Sequence, residues 1–115
     1  MLKATSTRRA IKPIAFNSGI CSIWTIEKNH LKDKLGDFDF HEDTIGIKTF
    51  NELGLLGKQV DRVISIPYQE LIDQSFVVVI ENKAYYMILI QKKDTFPMSL
   101  KLTLEKTPIK VGDSQ

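Results

Sequence analysis

The sequence predicts a small all-β domain, mainly antiparallel: a barrel or sandwich of six to seven strands with one long loop excursion and at most one short helix. Three observations predict it. Phe76–Ile80 and Ala84–Ile90 are uninterrupted apolar runs rich in valine, isoleucine and tyrosine, too short for a buried helix and of strand-forming composition. Asn82-Lys83 lies between them at two-residue hairpin spacing, and Asn tolerates the positive φ such a turn needs. Met98–Glu105 then alternates: Met98, Leu100, Leu102 and Leu104 against Ser99, Lys101, Thr103 and Glu105. That is the signature of a strand with one wet face.

The remaining elements follow in chain order. Residues 1–7 are polar and predict a flexible arm. Ile11–Phe16 predicts a short strand that Pro13 confines to a sheet edge, and Asn17-Ser18-Gly19 a turn. Ile20–Glu27 predicts a strand with apolar groups on both sides, Trp24 being a core anchor or, alternatively, an interface residue. Residues 28–44 are densely charged around Gly36, and predict the excursion loop. Ile45–Asn51 alternates and predicts a strand. Glu52–Gln59 carries Leu53, Leu55 and Leu56 between Gly54 and Gly57, and either a bent strand or a short helical turn fits it. Val60–Tyr68 returns to strand and ends at Pro67; Gln69–Gln74 is a turn leading into the central hairpin. Apolar runs without alternation imply burial on both faces. The second face of that hairpin therefore needs a cover, either the N-terminal half or another subunit.

Composition narrows the class. Residues 1–115 fit one domain, and 43% hydrophobic with 26% charged residues is ordinary for a globular fold. The longest apolar run, Ala84–Ile90, falls far short of the roughly 20 residues of a membrane-spanning helix, so no membrane partner is expected. The start of the chain has no apolar stretch typical of a secretory signal. Cys21 is the only cysteine, which excludes an internal disulfide and a multi-cysteine metal site and fits a reducing compartment. A net charge of +2 is too small to argue nucleic-acid binding.

Catalytic patterns are missing. The sequence contains no phosphate-binding glycine loop, no nucleophile elbow and no zinc-protease helix motif. Asp37, Asp39 and His41 alternate, but the calcium-loop pattern fails, with Glu42 at the glycine position and Lys48 where the final acid belongs. No catalytic residue, metal or cofactor is expected. Phe38 and Phe40 stand in the charged segment, where aromatics are costly to expose; they pack on the domain or on a partner. With Asp37, Asp39, Asp43, Leu55 and Leu56 they form the candidate assembly surface. Arg8, Arg9 and Lys12 make a small basic cluster, a solvated arm on the simplest reading and a contact to DNA phosphate or an acidic partner on the sharper one. Trp24, Tyr85 and Tyr86 with nearby lysines also admit a nucleic-acid module of the OB type, although Tyr85 and Tyr86, being adjacent, point to opposite faces.

The stretch Asp61–Lys106 resembles the small head–tail joining proteins of tailed bacteriophages, also called head-closure, stopper or adaptor proteins. The matching pieces are Ile64-Ser65-Ile66-Pro67-Tyr68, Ile72-Asp73, Phe76–Ile80, Asn82-Lys83, Tyr86-Met87-Ile88 and Leu100–Leu104. The resemblance implies a β-barrel that forms a ring between portal and tail and extends or closes the DNA channel. The implied partners are a portal or adaptor ring protein, a tail-completion protein, further copies of itself, and packaged DNA passing through. The implied location is the head–tail interface of the virion, assembled in the host cytoplasm. A tail terminator or another neck ring protein is the neighbouring alternative.

Overall fold

A computed structural model describes residues 12–109 and 111. Its strands are β1 (Lys12–Pro13), β2 (Gly19–Glu27), β3 (His30–Asp43), β4 (Arg62–Pro67), β5 (Val77–Ile80), β6 (Lys83–Lys93), β7 (Thr95–Phe96) and β8 (Ser99–Lys106); one helix, α1 (Ile47–Leu55), lies between β3 and β4. Six strands close into a barrel in the order β2-β3-β4-β8-β6-β5, while β1 and β7 form a small separate pair. Every barrel pairing is antiparallel. The small all-β fold is thus as expected.

The barrel interior follows from alternation. Ile64 and Ile66 of β4 and Leu100, Leu102 and Leu104 of β8 belong to one core cluster with Cys21, Phe40, Val78, Ile80, Tyr85 and Met87. The intervening residues point outward, and two outer clusters cover them. Val77, Val79 and Ala84 pack with Ile109, Trp24, Leu31 and Tyr86. Val63 and Ile88 pack with Leu53 of α1 and with Val60. This explains the unbroken apolar runs: Val77–Ile80 are all buried because the strand is covered on both sides. The cover comes partly from the N-terminal half, through α1 and β2–β3, and partly from the C-terminal segment through Ile109.

Three expectations change. Residues 28–44 are not an excursion loop: Lys28 and Asn29, both at positive φ, turn the chain so that His30–Asp43 runs back along β2 as the longest strand. The charges lie on an exposed strand, where they are cheap, while Phe38 and Phe40 turn into the barrel. Ile45–Asn51 is not a strand. A backbone bond from Phe50 N–H to Gly46 C=O starts α1, and Leu53 anchors it to the barrel. Gly57, at φ 78°, ends it, with Gly57 N–H donating to Gly54 C=O and Lys58 N–H to Leu53 C=O, the paired bonds of a glycine-terminated helix. Finally, β8 is only partly wet on its second face: Lys101 and Glu105 are half-exposed, but Ser99 and Thr103 are buried there. Thr103 stands in register with Val63 under the α1 cluster. Ser99 donates to Thr95 Oγ1 at 2.6 Å while Thr95 donates to the Pro97 carbonyl.

The central turn also moves by one residue. Ile80 pairs with Lys83, so the turn residues are Glu81 and Asn82, at φ 50° and 65°. Lys83 already belongs to β6.

Candidate assembly surface

Arg8 and Arg9, and the arm 1–7, lie outside the described residues. Lys12 falls in β1, which pairs in parallel with β7 through Lys12–Thr95 and Pro13–Phe96. The edge strand expected at Ile11–Phe16 is therefore two residues long where it is described.

The candidate assembly residues divide. Phe40 is 3% exposed, inside the barrel, and Phe38 packs half-buried against the same core. Gly19 permits this: a Cβ there would come within 3.0 Å of the Phe40 ring. Both phenylalanines are accounted for by the fold and leave the surface. Asp37 and Asp39 stay exposed on β3, Asp37 paired to Lys34 at 2.9 Å. Asp43 is half-buried on the outside of the barrel, where it accepts from Ser65 Oγ at 2.5 Å and faces His41 Nε2 at 3.6 Å. The carboxylate thus takes the hydroxyl on one oxygen and faces the imidazole with the other.

Leu55 and Leu56 are the exposed pair the sequence singled out, 88% and 72% accessible. Phe50, in the first turn of α1, is 51% accessible as well, and sequence reasoning missed it because it placed Phe50 on a strand. Helical spacing brings Phe50 and Leu56 to either side of Leu53, the one residue of this set that is buried. A second exposed apolar group, Leu71, Phe96 and Met98, sits at the opposite end of β4: Tyr68 N–H, just past β4, donates to Met98 C=O. Its signal in sequence was faint, since single apolar residues beside turns are common.

Other chemistry is sparse. A cavity of about 380 Å³ next to β7 is lined by residues including Asp43, Ser65, Lys93, Thr95, Ser99 and Lys101. No group of three or more histidine, cysteine or acidic side chains suited to a metal ion occurs among the described residues. Cys21 is buried, and burial pushes its thiol up to about 12, so at neutral pH it is an inert protonated thiol. Tyr85 is buried in the barrel, and Tyr86 and Trp24 are half-buried in the outer cluster with Ile109. The rings that a strand-binding surface would need for base stacking are thus engaged in packing. No described helix is long and apolar enough to cross a membrane. No family model and no curated protein matches the chain.

Proposed function

We propose that the chain is a structural protein of the neck of a tailed phage, one of many copies in a ring between portal and tail that completes the head and extends or closes the DNA channel. The mechanism is assembly, and no catalytic step is assigned to it. The observation that carries the reading is α1: a helix anchored by Leu53 to a closed barrel that leaves Phe50, Leu55 and Leu56 in water. Large apolar side chains left in water along one short helix are what a neighbouring subunit covers. The resemblance of Asp61–Lys106 to head–tail joining proteins supplies the setting, with a portal or adaptor ring and a tail-completion protein as its partners. The patch is small beside the roughly 800 Å² per partner of a stable interface. The protein alone is therefore a weak self-associator that closes into a ring on a template. The experiment is to add purified protein to DNA-filled, portal-bearing particles lacking it. Electron microscopy should show an added ring below the portal, and Leu55→Asp/Leu56→Asp should abolish it. Particles that retain DNA and accept tails without the protein would refute the reading.

A further inference from the structure

A ring of more than two copies sets unlike surfaces against each other, whereas two copies of one surface meet about a twofold axis and stop at a dimer. The described residues carry apolar side chains in water at two separate places. Leu55 ends α1 and Leu56 caps it, and Leu53 ties the helix to Val63 near the start of β4. Leu71 and Phe96, 75% and 71% accessible, stand with Met98 past the other end of β4, where Tyr68 N–H donates to Met98 C=O. The six residues of β4 set the length of a strand, roughly 20 Å, between the two places. One copy cannot bring them together, and two copies can.

Both places stand on hydrogen-bonded backbone. Gly57 N–H and Lys58 N–H close the end of α1 beside Leu55 and Leu56. Phe96 pairs with Pro13 in the β1–β7 ladder, and its carbonyl accepts from Ile14 N–H. A backbone already bonded leaves mainly side-chain freedom to lose on association. The margins differ in sign. Helical spacing puts Lys48 and Glu52 on the face of Leu55, and Lys58 follows Leu56 by two residues; all three are exposed, so this margin is basic by one charge. Around Leu71 and Phe96, the acids Glu70, Asp73 and Asp94 against Lys92 and Lys93 leave a margin acidic by one charge. Unlike surfaces therefore meet with opposite charge, and like surfaces with the same charge. Neither place alone approaches the roughly 800 Å² per partner of a stable interface, and a copy inside a ring makes both contacts at once.

We infer, resting on the ring of the proposed function, that the end of α1 in one copy docks through Leu55 and Leu56 on Leu71, Phe96 and Met98 of the next. Two variants of the full chain test it. Leu55→Asp/Leu56→Asp leaves only the Leu71–Phe96 surface intact, and Leu71→Asp/Phe96→Asp leaves only the helix end. Each should unfold at the same urea concentration as the wild type, and Leu71→Asp alone takes the place of the pair if Phe96→Asp does not. In sedimentation the wild type should associate as its concentration rises, and each variant alone should stay monomeric. An equimolar mixture of the two should form dimers and nothing larger, with an association constant at least about tenfold above either variant's own. Adding Lys48→Glu/Lys58→Glu to the variant with the intact helix end should weaken the mixture roughly threefold. Self-association of either variant, a mixture no more associated than its parts, or a wild type monomeric at every concentration would each overturn the inference. The particle experiment fails separately: particles that complete without the protein refute the neck reading, whereas unlike pairing in solution stands or falls on the mixture.

Discussion

Arg62 holds Glu42 across the barrel wall between β4 and β3: Nη2 donates to Oε1 at 2.5 Å and Nε to Oε2 at 3.3 Å. The same guanidinium lies over the rings of Phe40 and Tyr85, 5.6 and 5.9 Å from their centroids. The hydrogen bond to Glu42 is the first reason the guanidinium holds its proton more tightly than usual. A planar fork does both tasks at once, and a lysine cannot. The pair itself is partly solvated, Glu42 being 40% exposed, so its own worth is at most about 1 kcal/mol. Contact with the rings adds a similar amount. Arg62→Ala should therefore lower stability by about 1–2 kcal/mol in urea titrations. Arg62→Lys should recover less than half of that, and full recovery would show that charge alone matters.

Cys21 gives a pH-dependent prediction. Its folded-state value is raised from 9.0 to about 12, first of all by burial. A raised value means that the folded chain keeps its proton where the unfolded chain has lost it. The stabilising contribution is complete below pH 9 and declines as pH rises from 9 towards 12. Native protein at pH 8 should resist alkylation, and it should react on denaturation. Cys21→Val should flatten the loss of stability between pH 9 and 11. Rapid alkylation of the native protein would contradict the burial.

The exposed end of α1 separates folding from the proposed assembly. Leu55→Asp and Leu56→Asp touch residues already in water, so thermal or urea stability should change by no more than about 0.5 kcal/mol. Leu53→Ala, which removes the anchor in the outer cluster, should cost about 2–4 kcal/mol. If the aspartate variants unfold the chain, α1 is more deeply packed than its exposure indicates.

The uneven legibility of this chain has physical causes. β4, β5 and β6 are visible because both their faces are packed, which leaves a dense apolar signal in Val63–Ile66 and Val77–Ile80, and β8 because its leucines alternate with polar residues. β3 is hidden for the opposite reason. It is an edge strand over His30–Asp39, so its outer side is free to carry Lys32, Asp33, Lys34 and Asp37, and only Phe38 and Phe40 report a core. Charge density imitates a loop where a protected edge is meant. At α1 the period was ambiguous, because Ile45, Ile47 and Thr49 alternate like a strand. The deciding contact, Leu53 on Val63 and Ile88, is long-range and has no local signature. The candidate assembly surface is half legible: Leu55 and Leu56 stand out in the sequence, Phe50 is hidden with the helix, and Phe38 and Phe40 belong to the barrel.

Ile109 tests the cover on the other side of the barrel. It is buried against Val77, Val79 and Ala84, and its backbone N–H is fixed by Thr107 Oγ1 at 3.0 Å. Thr107 N–H in turn donates to Ala84 C=O. Ile109→Ala should cost about 2–3 kcal/mol, in the range for a buried isoleucine. Ile109→Asp should cost more, since it sets a carboxylate against outward valines. A dye that reports exposed apolar surface should bind the aspartate variant before global unfolding. A silent Ile109→Ala would mean that Val77 and Val79 need no cover from the C-terminal segment.

The central hairpin offers a stabilising change. Glu81 and Asn82 both adopt positive φ, the geometry of the tight turn whose twist matches its strands. Asn82 tolerates it, whereas Glu81 carries a side chain that disfavours it. Neither is buried, so substitution there leaves the packing of Ile80 and Ala84 untouched. Glu81→Asn with Asn82→Gly supplies the residues this turn prefers, and should raise stability by about 0.5–1 kcal/mol. Shifting the turn to Asn82-Lys83 instead, by Lys83→Gly, should destabilise, because Lys83 pairs with Ile80 in the ladder and a strand glycine weakens it. The two variants, compared by urea titration, should move in opposite directions. Stabilisation by Lys83→Gly would place the turn one residue later than the register from Ile80–Lys83 to Val77–Tyr86 allows.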